Sequence, residues 1–361
     1  MNLYGSLRPW FFRLDPETAH EGSLRALALA DALPAGREVL KALFTHRDPS
    51  LETEVAGLRF PNPVGLAAGF DKDCRVPCAL AALGFGFVEV GTLTARPQPG
   101  NPKPRLFRLP ASRALVNRMG FNNPGAEAAA ARLARMGPHP VPVGVNIGLN
   151  KDADREKAAE EYARCFEVLY PHGDYFAVNV SSPNTDGLRR LQERLRLERI
   201  LTALQDRNPD GKPVFVKLSP DLEDRELEEL LPLLQEKAAG VVCTNTTVSR
   251  AGLPEEAACL QGGLSGAPLK DLSTRMIREV YRRTRGRLPI IGVGGIASAE
   301  DAYQKLRAGA SLVQVYTGFV YGGPSTASEL CRGVARILRE HGLSRVGEAV
   351  GKSHPESVKV A

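Results

Sequence analysis

The 361-residue chain has six cysteines, at 74, 78, 165, 243, 259 and 331, and they form no Cys-x-x-Cys pair. None of its six histidines stands at metal-ligand spacing from them. That pattern excludes a zinc ribbon or finger, and no metal is expected. Cys74 and Cys78 lie four apart on an expected helix, which packing explains better than zinc. Reduced thiols in a cytoplasmic protein follow. Long apolar runs are missing too. The longest uncharged stretch, 308–328, is full of Gly, Ser, Thr and Gln and includes Pro324, so it is not a spanning helix. Met1 to Leu14 lacks the continuous apolar core and cleavage site of a signal peptide. Aromatics make up 6% of the chain, and none interleaves with the densest basic cluster, Arg282-Arg283-Thr284-Arg285-Gly286-Arg287. Nucleic-acid binding is therefore not expected. The net charge of +6 is spread among acids, as in Leu191-Gln192-Glu193-Arg194-Leu195-Arg196, which reads as a solvated helix face.

What is present is an alternation. Hydrophobic residues at 43% and charged residues at 24% fit a soluble globular chain. From residue 60 onward, short apolar runs at 64–66, 87–91, 143–147, 175–179, 214–218, 240–244, 289–293 and 312–315 read as strands. Amphipathic segments at 75–83, 123–135, 155–169, 191–207, 222–235, 269–283 and 298–306 separate them. Strands apolar on both faces that alternate with helices belong to a parallel sheet. Eight of them within about 250–300 residues predict an α/β fold, a closed (β/α)8 TIM barrel. The segment 92–116, after the second strand, is too long for an ordinary loop. Its Pro and Gly predict an ordered excursion over the barrel mouth.

Three short helices precede the barrel. Leu3, Leu7, Trp10, Phe11 and Leu14 share one helical face. Asp15-Pro16-Glu17 reads as a cap, a proline at the first helical position and an early acid. His20, Leu24, Leu27 and Ala28 mark a second helix, and Val39, Leu40, Leu43 and Phe44 a third. The expected divisions are a helical subdomain at 1–45, a barrel at 46–340 and a polar tail at 341–361, with fraying expected over 338–361.

The chemistry gathers at strand ends, which in such barrels form the active-site face. Asn179-Val180-Ser181-Ser182-Pro183-Asn184-Thr185 closes the fourth strand with hydroxyls and carboxamides and no charge. Such groups donate and accept, so they read a planar, urea-like edge without fixing its charge. Asn117 and Asn122-Asn123, Asn146 and Thr244-Asn245-Thr246-Thr247 add amides around the mouth. Ala67-Ala68-Gly69-Phe70-Asp71-Lys72 lets a flat ligand lie against the backbone and offers a cation. Lys217 ends the fifth strand inside an apolar run, where a buried ammonium needs an anionic partner. Gly292-Val293-Gly294-Gly295 and Tyr316-Thr317-Gly318, after the seventh and eighth strands, fit the barrel phosphate site. Gly292, Gly294 and Ala297 also match a dinucleotide fingerprint. That match falls at the wrong strand and lacks the acid about 20 residues on.

Taken together, the 65–72 motif, Arg96-Pro97-Gln98-Pro99-Gly100-Asn101, the segment 117–123, the Asn179–Thr185 segment and Ile291-Gly292-Val293-Gly294-Gly295-Ile296 resemble the quinone-dependent (class 2) dihydroorotate dehydrogenases. The resemblance runs from about residue 8 to about 340. It implies FMN, oxidation of (S)-dihydroorotate to orotate in pyrimidine synthesis, and a membrane quinone as electron acceptor. It implies FMN contacts from Ala67, Ala68, Gly69, Phe70, Asp71, Thr92, Asn146, Asn179, Lys217, Thr244, Gly266, Gly295, Tyr316 and Thr317. Substrate would be held by Lys72, Asn117, Arg118, Met119, Gly120, Phe121, Asn179, Asn184, Asn245 and Thr246, with Ser182 as base. Thr185 or a water would relay its proton. The first two helices would frame a quinone tunnel, with His20 on its wall and, by the same resemblance, Arg105 and Tyr316 near its inner end. The expected place is the cytoplasmic face of the cell membrane, held peripherally.

Soluble class 1 relatives, which use fumarate or NAD, usually carry Cys at the base position and lack the N-terminal extension. This chain differs on both counts. Thr317 stands where many relatives have Ser, which keeps a hydroxyl near the phosphate. The rival enzyme reading is a non-redox phosphate-binding barrel, a lyase or isomerase using Lys72 or Lys217 as a Schiff base. A membrane-surface binding module built on residues 1–45 would leave the amide cluster without a purpose.

Overall fold

The computed structural model describes residues 3–185 and 187–355, apart from the side chains of Leu3 and Glu256. Eight parallel strands close into a barrel. They are β1 Val64–Leu66, β2 Phe87–Leu93, β3 Val143–Ile147, β4 Tyr175–Asn179, β5 Val214–Leu218, β6 Gly240–Cys243, β7 Ile290–Val293 and β8 Leu312–Val315. Each pairs with its neighbour in sequence, and β8 closes on β1 with Val313 opposite Val64. The predicted strands are all present, with ends shifted by up to two residues. The helix after β1 is shorter than expected, Pro77–Ala82, and Cys74 lies outside it with φ of 55°. Pro77 occupies its first turn, where a missing N–H costs nothing. Cys74 and Cys78 are both buried free thiols.

Side chains alternate across a strand, so residues two apart face the same way. Phe87 and Glu89 on β2, Tyr175, Ala177 and Asn179 on β4, and Phe215 and Lys217 on β5 all point inward on this rule. Their rings plug the lower barrel: the Tyr175 and Phe215 centroids are 5.5 Å apart, and Phe60 stands 5.3 Å from Phe87. Phe60 comes from a hairpin, Thr53–Val55 and Leu58–Phe60, that closes the bottom. Glycines make room for the rings. A Cβ on Gly65 would strike Phe87, one on Gly144 would strike Tyr175, and one on Gly240 would strike Phe215. Above this apolar plug the interior turns polar.

The excursion after β2 is ordered. Its strands Leu106–Leu109 and Ala114–Asn117 form an antiparallel sheet with Gly263–Gly266, which comes from beyond β6. No pattern of residues marks that third strand in advance.

Ahead of the barrel lie α1 Leu3–Phe11, α2 Pro16–Ala32 and α3 Gly36–Phe44. Asp15 caps α2 by accepting a 2.9 Å bond from the Thr18 amide, and Pro16 follows at the first turn. The helices are fastened to the barrel: Tyr4 donates to the Val320 carbonyl (2.7 Å) and Arg8 to that of Tyr321 (3.0 Å). Leu24 is buried, whereas Leu7, Trp10, Phe11, Leu14, Leu29, Leu33, Val39 and Leu43 are exposed. No helix among the described residues is long and apolar enough to cross a membrane.

The tail does not fray where it is described. Leu343, Val346, Ala349 and His354 are buried. His354 Nε2 lies 2.9 Å from the Ala308 carbonyl and its ring sits on Tyr281. Its spaced apolar residues Leu343, Val346 and Ala349 join the main core. Residues 356–361 lie outside the described part.

Candidate active site

A cavity with about 1070 Å³ of empty space, its open mouth included, occupies the C-terminal end of the barrel. Ala67, Ala68, Gly69, Lys72, Thr92, Asn117, Met119, Gly120, Phe121, Asn179, Ser182, Asn184, Lys217, Thr244, Asn245, Thr246, Gly266, Gly295, Tyr316 and Thr317 all line it. Phe70, Asp71, Asn146 and Arg118 do not. Phe70 turns the other way, against His20 (4.8 Å) and Phe319 (5.0 Å). Asp71 is buried and accepts 2.8 Å bonds from the amides of Arg75 and Val76, which pins the turn after β1. Its burial pushes its carboxyl pKa up. Arg118 stacks on Phe107 at 5.5 Å and donates to the Pro104 carbonyl.

Asn146 lies beneath the cavity floor, and a chain of amides starts there. Asn146 Nδ2 donates to Glu89 Oε1 (2.9 Å), while its Oδ1 accepts from Thr92 Oγ1 (2.6 Å) and Asn179 Nδ2 (3.2 Å). Asn179 Oδ1 in turn accepts from Asn245 Nδ2 (3.0 Å), which also donates to Ser181 Oγ (3.0 Å). Glu89 Oε2 takes further bonds from Gln314 Nε2 (2.8 Å) and Tyr175 OH (3.2 Å). Glu89 and Gln314 are fully buried. Each is a polar residue inside an apolar strand, the signal that marks Lys217, yet neither is among the residues expected from the sequence.

Lys217 is buried and has no hydrogen bond or ion pair among the described residues. Desolvation lowers its pKa and the Glu89 charge opposes that. Lys72 donates to the Gly69 carbonyl (2.7 Å), and burial brings its pKa down to about 8. Ser182 is buried at the rim, where its Oγ accepts from the Asn184 amide at 3.3 Å. Asn184 Nδ2 donates to Asn117 Oδ1 (3.1 Å), which joins the β4 loop to the excursion. Gln98 holds the 117–121 segment through the carbonyls of Gly120 (3.0 Å) and Phe121 (3.1 Å). Thr185 Oγ1 and Gln314 Oε1 are buried with no hydrogen-bond partner among the described residues.

On the opposite wall, Gly294 and Gly295 take φ of 126° and 73°, values that glycine alone adopts freely. The loop lies against the start of the helix Lys270–Thr284, so close that a Cβ on Gly295 would meet the Lys270 backbone. Thr317 and Ser265 hydroxyls pair at 2.8 Å beside it.

A second cavity, mostly apolar, lies beneath α1 and α2 with about 1020 Å³ of empty space, its open mouth included. Phe11, Ala19, His20, Leu27, Phe70 and Phe319 are among its walls, and Leu106, Leu115 and Tyr316 line both cavities. Burial and the charges of Lys72 and Arg75 hold the His20 pKa down to about 3. Arg105 is not on this wall. It is buried beside it and paired with Glu17 of α2 (2.7 Å).

The dihydroorotate dehydrogenase family model matches residues 50–338. The chain belongs to the dihydroorotate dehydrogenase family. It is 53% identical over 349 residues to a dihydroorotate dehydrogenase (quinone) of Synechococcus sp. (strain JA-3-3Ab), with 93% of each chain covered. It is 51% identical over 357 residues to one of Gloeobacter violaceus, covering 97% of this chain and 99% of that one. A crystal structure of DHODH from Eimeria tenella in complex with ferulenol superposes with a TM-score of 0.87 at 38% identity, covering 94% and 96% of the two chains. Both relatives have the quinone-dependent name, in line with the class that the motifs resemble.

Proposed function

We propose that this dehydrogenase oxidises (S)-dihydroorotate to orotate in pyrimidine biosynthesis and delivers the electrons to a membrane quinone, with FMN as its flavin. The observation that carries this reading is the pair of cavities. One is rich in amides and opens at the barrel mouth; the other is apolar and lies under exposed helices; Tyr316, Leu106 and Leu115 stand between them. Such an arrangement suits a polar ring on one side of a flat cofactor and a lipid-soluble acceptor on the other. Family membership supports a flavin.

The residues fit FMN. The glycine loop of Gly294 and Gly295, with Thr317, would hold its phosphate. Lys217, a buried ammonium without a partner, and Gln314, whose Oε1 lacks a donor, suit a ring edge that bears negative charge and N–H groups. Bound FMN supplies the hydride acceptor.

Orotate forms when one ring carbon loses a proton and its neighbour a hydride. Ser182 receives the proton, and because a neutral hydroxyl is a poor base it must pass its own proton on. Thr185, whose Oγ1 is buried with no partner among the described residues, or a water beside it serves as that relay. Asn117, Asn184 and Asn245 orient the ring carbonyls and N–H groups, and Lys72 faces the carboxylate. Ser182 in place of Cys and the cavity under α1 and α2 speak against a fumarate- or NAD-linked enzyme.

The test is anaerobic mixing with dihydroorotate. Flavin absorbance should bleach, then return on addition of a quinone and stay bleached with fumarate or NAD. A colourless protein, or flavin that dihydroorotate leaves oxidised, would sink the reading.

A further inference from the structure

We infer that Glu89 is a positioning residue that sets the direction of the amide chain at the cavity, and so decides whether that chain offers an acceptor or a donor to a ring ligand. A carboxamide has one accepting and one donating end and can be seated either way round. A carboxylate only accepts. Glu89 lies at the bottom of the chain and its two oxygens take bonds from Asn146, Tyr175 and Gln314. Asn146 must therefore point its Nδ2 down at Glu89 and its Oδ1 up. Thr92 and Asn179 must then donate to that oxygen. With its Nδ2 committed to Asn146 and Thr92, Asn179 turns its Oδ1 to Asn245 and the cavity. One carboxylate thus settles three amide orientations. The outcome at the cavity is an Asn179 oxygen that accepts one bond and has a lone pair to spare. That spare lone pair suits a ring N–H. The reverse seating would present an NH2 group and favour a ring carbonyl.

Charge alone does not explain the arrangement, because Lys217, a cation that feels the Glu89 charge, makes no ion pair with it. A buried carboxylate that takes bonds from neutral donors spends its accepting capacity on direction.

The inference rests on the proposed substrate, and a rescue experiment separates the two. Glu89→Gln keeps the shape and lets the chain sit either way. Glu89→Gln with Asn146→Asp restores the lock. The carboxylate introduced by the second substitution only accepts, so the glutamine must donate upward and Asn179 must donate downward, as in the natural chain. Orotate binding is titrated on the purified flavin-loaded proteins, with melting temperature recorded for each. The single variant should bind orotate roughly three- to tenfold more weakly, because part of the population is seated in reverse. The double variant should recover to within about twofold of the natural protein. A residue that mattered only for packing would lose further ground on the second substitution. Unchanged affinity in the single variant, or a double variant no better than the single, would overturn the inference. If Glu89→Gln does not fold, recovery of folded, orotate-binding protein by the double variant supports it and failure to recover overturns it. If the natural protein ignores orotate, the proposed substrate falls, and the direction of the chain is read from flavin affinity in the same three proteins.

Discussion

Glu17 and Arg105, 88 residues apart, form a two-pronged ion pair: Arg105 Nη2 donates to Oε1 at 2.7 Å and Nε to Oε2 at 3.3 Å. Both side chains are largely removed from solvent, 13% and 8% exposed respectively. Arg105 also donates to the carbonyls of Pro99 (2.7 Å) and Asn101 (2.9 Å). The pair therefore ties the first turn of α2 to the excursion over the barrel mouth. A second tie, Arg75 to Glu21 at 2.8 Å, holds α2 one turn further on. The helices are seated by directional contacts over a cavity. Leu24, Leu27, Ala28, Leu40 and Phe44 add apolar packing against the core, while the rest of the stripe faces outward.

That seating makes the second cavity testable by filling it. Ala19 is on its wall. Ala19→Trp should leave dihydroorotate-driven flavin reduction within about twofold of the natural rate and slow reoxidation by a long-chain quinone by roughly tenfold or more. Stopped-flow measurement of the two half-reactions decides it. Equal slowing of both would mean that the cavity does not serve the acceptor alone.

Ser182 lines the cavity, and the proposed reaction gives it the proton. Ser182→Ala should retain flavin and bind orotate while losing roughly 10²–10⁴-fold in the rate of flavin reduction. A reductive rate near that of the natural protein would remove Ser182 from the role of base.

Lys217 is buried in the cavity wall with no hydrogen bond or ion pair among the described residues. Lys217→Met keeps the length and discards the charge. Flavin reduction should slow by roughly 10²-fold, the scale of losing one preorganised charge stabiliser. Full flavin occupancy with an unchanged reductive half-reaction would make Lys217 structural.

Leu33 and Leu43 are 55% and 68% exposed, and the proposed membrane attachment would use such apolar side chains. Replacing both with Ser should weaken binding to neutral phospholipid vesicles by about tenfold or more. Acids and bases balance through residue 50, so raising salt should change the binding little. Vesicle sedimentation that is insensitive to the pair, or strongly salt-dependent, would count against an apolar anchor.

His20 gives stability a pH dependence. Its pKa falls from 6.5 to about 3 on folding, first through burial. Below pH 6.5 the unfolded chain takes up a proton that the folded chain refuses, so stability drops as the pH falls from 6.5 towards 3. The slope from this group is at most about 1.4 kcal/mol per pH unit. Urea midpoints at about pH 7, 6 and 5 should fall less steeply in His20→Gln than in the natural protein. Parallel curves would show that His20 is not kept neutral.

The amino-acid sequence alone determined the barrel, because eight buried strands alternating with amphipathic helices leave few other ways to cover both faces of a sheet. It determined most of the cavity wall too. Asn179, Lys217, Thr244 and Tyr316 sit at or beside strand ends, and a closed parallel barrel brings all such ends to one rim. The tertiary structure decided what lies one layer down. Two-residue periodicity puts Glu89 and Gln314 on some face of their strands, but only closure of the barrel makes that face the floor of the site, where they meet 225 residues apart. The same holds for Gly263–Gly266, a strand only because Ala114–Asn117 reaches it, and for Asn146, which the fold places beneath the ligand cavity. These contacts join distant segments, so no local pattern of residues encodes them. They exist once the strands, the excursion and α2 have been brought together by the burial of the core.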